Sequence, residues 1–110
     1  MERVLLFSLN NPGIKVTVEA YFDDKGNLVV EGYDIGKTVE EYWGDSDYEY
    51  TTTVSDGELT RLYEAVGLPG GTRMQLLMEL KDRFNTNTCY SDFNAFLRKH
   101  EISSGGFSWT

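Results

Sequence analysis

The sequence predicts an α+β fold, an antiparallel meander sheet of about four strands followed by three helices packed on one face. Three observations predict it. Residues 14–23 alternate apolar and polar side chains, turn-forming clusters separate the extended stretches of the first half, and the helix starts Ser55-x-x-Glu58 and Thr72-x-x-Gln75 fall in the second half. The 110 residues are expected to form a single domain spanning 1–110.

The compact apolar run Val4–Leu9 reads as a strand covered on both faces, and Asn10-Asn11-Pro12-Gly13 as the turn that follows it. Next, Val16, Val18, Ala20 and Phe22 fall on one face, with Lys15, Thr17, Glu19, Tyr21 and Asp23 on the other, the pattern of a half-buried strand. Asp24-Lys25-Gly26-Asn27 closes a hairpin onto Leu28–Ile35. A fourth strand over Asp47–Val54 places Tyr48, Tyr50, Thr52 and Val54 on a single side, which the parity of Val54 directs inward.

Ser55-Asp56-Gly57-Glu58 has the form of a capping box, and Leu59, Leu62, Tyr63 and Val66 give the apolar stripe of a helix that Gly67-Leu68-Pro69 ends. Thr72 and Gln75 repeat the capping pattern for a second helix to about Phe84. Its broad stripe, Met74, Leu76, Leu77, Met78, Leu80 and Phe84, is assigned to the core, and Glu79 and Arg83 form a pair on its wet side. A third helix is expected from near Ser91, presenting Phe93, Phe96 and Leu97. The closing stretch Gly105–Thr110 reads either as a short strand or as a docked tail.

Charge is unevenly distributed along the chain. The formal net charge is −8, and Glu31–Glu58 holds nine acids against the single base Lys37, so this segment carries the entire surplus. Such a balance opposes binding to nucleic acid or to anionic lipid, both of which require cations. One cysteine permits no internal disulfide, no apolar run is long enough to span a membrane, and the N-terminus lacks the pattern of a signal peptide. A cytoplasmic location is the resulting expectation.

The stretch from Thr38 to Tyr50 combines carboxylates with aromatic rings. Tyr42 and Trp43 are the expected exposed anchors for a protein partner, and Glu40, Glu41, Asp45, Asp47 and Glu49 the charges that steer it. The alternative is a solvated acidic loop. Asp45, Asp47 and Glu49 also form a D-x-D-x-E run whose carboxylates would share a face of an extended segment and suit a hard cation; it lacks the glycine of an EF-hand loop. Cys89 and His100, each the only residue of its kind, would stand at opposite ends of a helix about 15 Å apart. That is too far for a thiolate–imidazole pair, so Cys89 reads as a buried apolar residue and His100 as a helix-C-terminal one. No phosphate-binding glycine loop, dinucleotide motif, zinc ligand set or catalytic constellation is present, and no cofactor is expected.

Around Glu40-Glu41-Tyr42-Trp43-Gly44-Asp45-Ser46-Asp47-Tyr48-Glu49-Tyr50, followed by a capped helix over Ser55–Val66 and a second helix, the chain resembles the immunity proteins of bacterial toxin systems and other small acidic bacterial proteins. The resemblance implies an acidic protein that occludes a basic toxin, often a nuclease, and it carries no catalytic residues. The expected function is therefore a non-catalytic protein-binding module engaging a basic partner through an acidic–aromatic face. A small-molecule or divalent-cation domain is the alternative. The chain is expected to be a monomer or a weak homodimer, since the open sheet face bearing Thr17, Glu19 and Tyr21 is too polar for a large obligate interface.

Overall fold

The computed structural model describes residues 3–11, 14–36 and 47–109, with the backbone alone for residues 11, 36, 47 and 107–109. Strands β1 (Arg3–Asn11), β2 (Ile14–Phe22), β3 (Leu28–Gly36), β4 (Asp47–Val54) and β5 (Gly105–Trp109) form one sheet in chain order, each neighbouring pair antiparallel. Helices α1 (Leu59–Ala65), α2 (Arg73–Arg83) and α3 (Cys89–Lys99) intervene between β4 and β5. The architecture is α+β, and the stretch Gly105–Trp109 supplies a fifth strand.

Period-two alternation decides which way each strand faces. Val18, Ala20 and Phe22 of β2, Leu28 and Val30 of β3 and Val54 of β4 are buried together with Leu62, Leu76, Leu77, Leu80, Phe93 and Leu97 of the helices in one cluster. Each of these Val, Leu and Phe side chains contributes roughly 1.5–3 kcal/mol by leaving water. β1 departs from the expectation of two covered faces. Leu6 is buried, but Leu5 is 45% exposed on the opposite face, because β1 is an edge strand and the described helices cover the other side alone.

Local chemistry sets the connections. The Asp23 carboxylate accepts the backbone N–H groups of Lys25 and Asn27, both at 2.9 Å, and Gly26 takes φ +84° to close the β2–β3 turn. Those donors, led by the Asn27 N–H, hold the Asp23 carboxyl below the usual aspartate range. Pro12 and Gly13, expected to form the preceding turn, lie outside the described residues.

The two capping patterns diverge. Thr72 and Gln75 form the reciprocal box: the Gln75 N–H donates to Thr72 Oγ1 at 3.1 Å, and the Thr72 N–H to Gln75 Oε1 at 2.8 Å. Ser55 makes no side-chain cap; the chain enters α1 through a 3₁₀ turn at Asp56–Glu58, and Glu58 Oε1 instead accepts the Ser103 N–H at 2.8 Å. The third helix starts at Cys89, slightly before the expected Ser91.

Met74 and Met78 correct the sequence reading. They are 43% and 44% exposed, whereas Leu76, Leu77 and Leu80 carry the buried side of α2. At 100° per residue the two methionines fall on one flank of the helix rather than on its core-facing stripe.

α1 ends on Gly67 at φ +81°, with the Leu68 N–H reaching Tyr63 O at 2.8 Å. α3 ends the same way, its Ile102 N–H reaching Leu97 O at 2.9 Å, but the left-handed position holds Glu101 at φ +57°. A left-handed residue with a Cβ costs about 1–2 kcal/mol, partly offset by the greater chain entropy of glycine when unfolded. Glu101→Gly is therefore expected to raise stability by about 0.5–1 kcal/mol in urea unfolding.

Candidate functional site

The face turned away from the helices is polar, and the sheet register organises it into rows. Thr17 of β2 pairs with Tyr33 of β3, which pairs with Glu49 of β4; beside them Glu19 pairs with Glu31, which pairs with Thr51. β5 continues both rows, Trp109 pairing with Glu49 and Phe107 with Thr51. Thr17, Glu19, Glu31, Tyr33, Glu49 and Thr51 line a hollow of about 420 Å³ on this face, whose floor includes Gly32.

Two glutamates directly opposite each other on neighbouring strands repel. Here a cation stands beside them. Arg3 NH1 is 3.1 Å from Glu19 Oε2 and 3.5 Å from Glu31 Oε1, and its guanidinium lies 4.2 Å from the centroid of the Tyr21 ring. The Tyr21 hydroxyl donates to Glu31 Oε2 at 3.3 Å. Burial, then the Glu31 charge, pushes the Tyr21 phenol upward, so it remains a proton donor. Glu49 has no hydrogen-bond or ion-pair partner among the described residues.

The acids of Glu31–Glu58 do not share one surface. Glu31 and Glu49 face the hollow; Asp34 lies on the helix side, while Asp56 and Glu58 form the turn after β4. Glu40, Glu41, Tyr42, Trp43 and Asp45 lie outside the described residues, as does the side chain of Asp47, whose backbone pairs with Ile35. Glu19, in contrast, joins Glu31 through register although it precedes the acidic segment in sequence. The polar parity of Thr17, Glu19 and Tyr21 was the available signal for it. Among the described residues, no group of three or more His, Cys, Asp or Glu is placed to hold a metal ion.

On the helix side, β3 and β4 are joined to α3 by a polar and aromatic cluster. The Tyr50 ring occupies the space over Gly32, where an added Cβ would come within 1.9 Å of Tyr50 Cε2. Its hydroxyl donates to Asp34 Oδ1 at 2.9 Å, and the ring meets Tyr90 edge-on with centroids 4.5 Å apart. The buried Thr52 hydroxyl lies 2.7 Å from the Tyr90 hydroxyl and 2.9 Å from Asn94 Oδ1. Donation to Asn94 leaves it free to accept from Tyr90. Tyr50 is thus turned inward as its parity predicts.

Burial raises the Asp34 carboxyl above its ordinary value near 3.8, against the pull of the Tyr50 hydroxyl. Burial also pushes the Cys89 thiol up to about 11. Cys89 begins α3 and is fully buried, while the exposed His100 caps the far end of the helix and stacks on Phe96, so the two do not form a pair.

Compared with protein-family models, with curated proteins and with solved structures, the chain matches none.

Two outcomes follow from the cluster. Gly32→Ala must displace the Tyr50 ring and should destabilise the fold by about 1–3 kcal/mol in urea unfolding. Because the folded pKa of Asp34 is raised, its ionisation opposes folding, and that penalty grows as pH rises through the folded value. Asp34→Asn can still accept from Tyr50. It should be at least as stable as the parent at pH 7 and lose any advantage below the ordinary aspartate range, as read by thermal melting across pH.

Proposed function

We propose that this chain is a non-catalytic binding module, of the kind that inhibits by occlusion, whose acidic sheet face receives a basic protein partner such as a toxin. One observation carries the reading. Glu19, Glu31 and Glu49 stand together on a sheet face that no described element covers, within a chain of net charge −8. Thr17, Thr51 and Tyr33 line the same hollow, giving hydroxyl donors and flat contact area beside the charge.

The arrangement of Arg3 supports the same reading. A guanidinium bridging two carboxylates over a tyrosine ring is the type of contact that a partner's arginine would make. The acidic–aromatic stretch with Glu40, Glu41, Tyr42, Trp43 and Asp45 joins β3 to β4, and the last described pair of those strands, Ile35 with Asp47, lies next to the Tyr33–Glu49 row. The field of an acidic face chiefly accelerates encounter and is screened by salt over about 8 Å at physiological ionic strength.

A small cationic molecule is the second reading, favoured by the volume of the hollow, which falls within the range of ligand pockets. The same surface chemistry would hold either.

The immobilised chain should retain a basic protein from a lysate of its native cells. The association rate of that protein should fall about tenfold between about 20 mM and about 300 mM salt, and again with Glu49→Arg. A rate unmoved by both salt and charge reversal rejects the proposal. A stabilising shift in melting temperature with a small cation, without protein capture, would instead favour the second reading.

A further inference from the structure

The outer edge of β1 and the flank of α2 above it stand apart from the acidic face. β1 pairs with β2 alone among the described residues, so no described strand occupies its other backbone edge, nine residues long. α2 lies over β1 and β2. One flank of this helix is held toward the other helices: Arg83 NH2 donates to Val66 O at 3.4 Å, and its guanidinium lies 5.8 Å from the Phe96 ring. The opposite flank, with Met74, Met78 and Lys81, therefore overhangs the β1 edge. The two methionines there are the exposed large apolar side chains that α2 carries.

We propose that this edge is where a second copy of the chain docks, β1 running antiparallel to its counterpart and α2 packing on its counterpart through Met74 and Met78. A strand edge is self-complementary about a twofold axis, since antiparallel pairing matches each donor row to an identical acceptor row. Adjacent methionines provide an adaptable apolar contact above it.

Charge selects the occupant. Copies of a chain at −8 repel, so they approach best where the surface is locally neutral. Beside the two methionines this flank of α2 carries Lys81 and Asp82, one charge of each sign. The acidic surplus lies elsewhere in the sequence. A basic partner would find little to attract it here, whereas a second copy meets only the general repulsion of the net charge.

Size sets the strength. A nine-residue strand is about 30 Å long, and a sheet edge with one helix above it is about 20 Å deep, giving on the order of 1,200 Å² buried in total. That is the lower end for a specific interface, and the bulge between Leu5 and Phe7 limits regular pairing. The dimer is therefore weak and reversible. It carries both acidic faces on the same side of one joined sheet, so the inference does not depend on what those faces bind.

Sedimentation equilibrium of the intact chain from about 5 µM to about 500 µM tests this directly. The mass should rise from 12.5 kDa toward twice that value, with half-association in the tens of micromolar. Added salt should strengthen association by screening the net charge, opposite to its effect on a basic partner. Met74→Glu with Met78→Glu, both at exposed positions, should weaken association at least about tenfold while leaving the circular dichroism spectrum unchanged. As an independent measurement, Met78→Cys should crosslink on oxidation, whereas Arg98→Cys on the exposed side of α3 should not; the native Cys89 is buried and does not compete. A single-chain mass throughout the range, a dimer indifferent to both glutamates, or crosslinking through position 98 in place of 78 overturns the inference.

Discussion

The central constraint is that one layer of helices covers a two-sided sheet. Alternation along β2 sends an apolar set to one face and a polar set to the other, and β3 and β4 extend the two faces with more mixed side chains. α1, α2 and α3 together bury only the first. The rest of the molecule follows from that asymmetry. The covered face can use leucine, valine and phenylalanine at close packing, and where polar groups enter it, as at Thr52 and Asp34, each has a partner. The uncovered face is free to gather like charges, which a buried face could not hold without a large desolvation cost.

The acidic face is consequently a balance between repulsion and compensation. Glu19 and Glu31 lie opposite each other across β2 and β3, and Arg3 reaches across from the edge strand to both. All three side chains are partly exposed, so this bridging contributes little to stability and mainly reduces a local penalty. Glu49 lacks such compensation among the described residues. A surface that concentrates charge at modest cost, because water still screens it, is suited to long-range attraction more than to rigid fit.

Much of this architecture is legible in the amino-acid order, and the exceptions share a cause. Val16 through Phe22 announce their faces because parity is a local property, and Thr72 with Gln75 announce a helix start because the capping bonds close within one turn. Ser55 and Glu58 offer the same four-residue pattern, but the Glu58 carboxylate is taken by Ser103, a partner 45 residues away. Met74 and Met78 fail for a related reason. Helical periodicity says which residues share a side, not where the sheet beneath comes to an end. The pairing of Glu19 with Glu31 depends on hairpin register, and the strand character of Gly105–Trp109 is hidden by two glycines that disfavour strand when read alone.

The position of β5 has a consequence for how the sheet is completed. The first three strand pairs join neighbours in sequence, whereas β4 meets β5 only after all three helices have intervened, with Glu49 pairing to Trp109. Closing that long excursion costs more chain entropy than closing any hairpin before it, so the β4 seam is the natural last step of assembly and the first to open. Whenever β5 is detached, the tyrosine- and threonine-rich border of β4 changes from an interior partner into a bare template that another extended chain can extend.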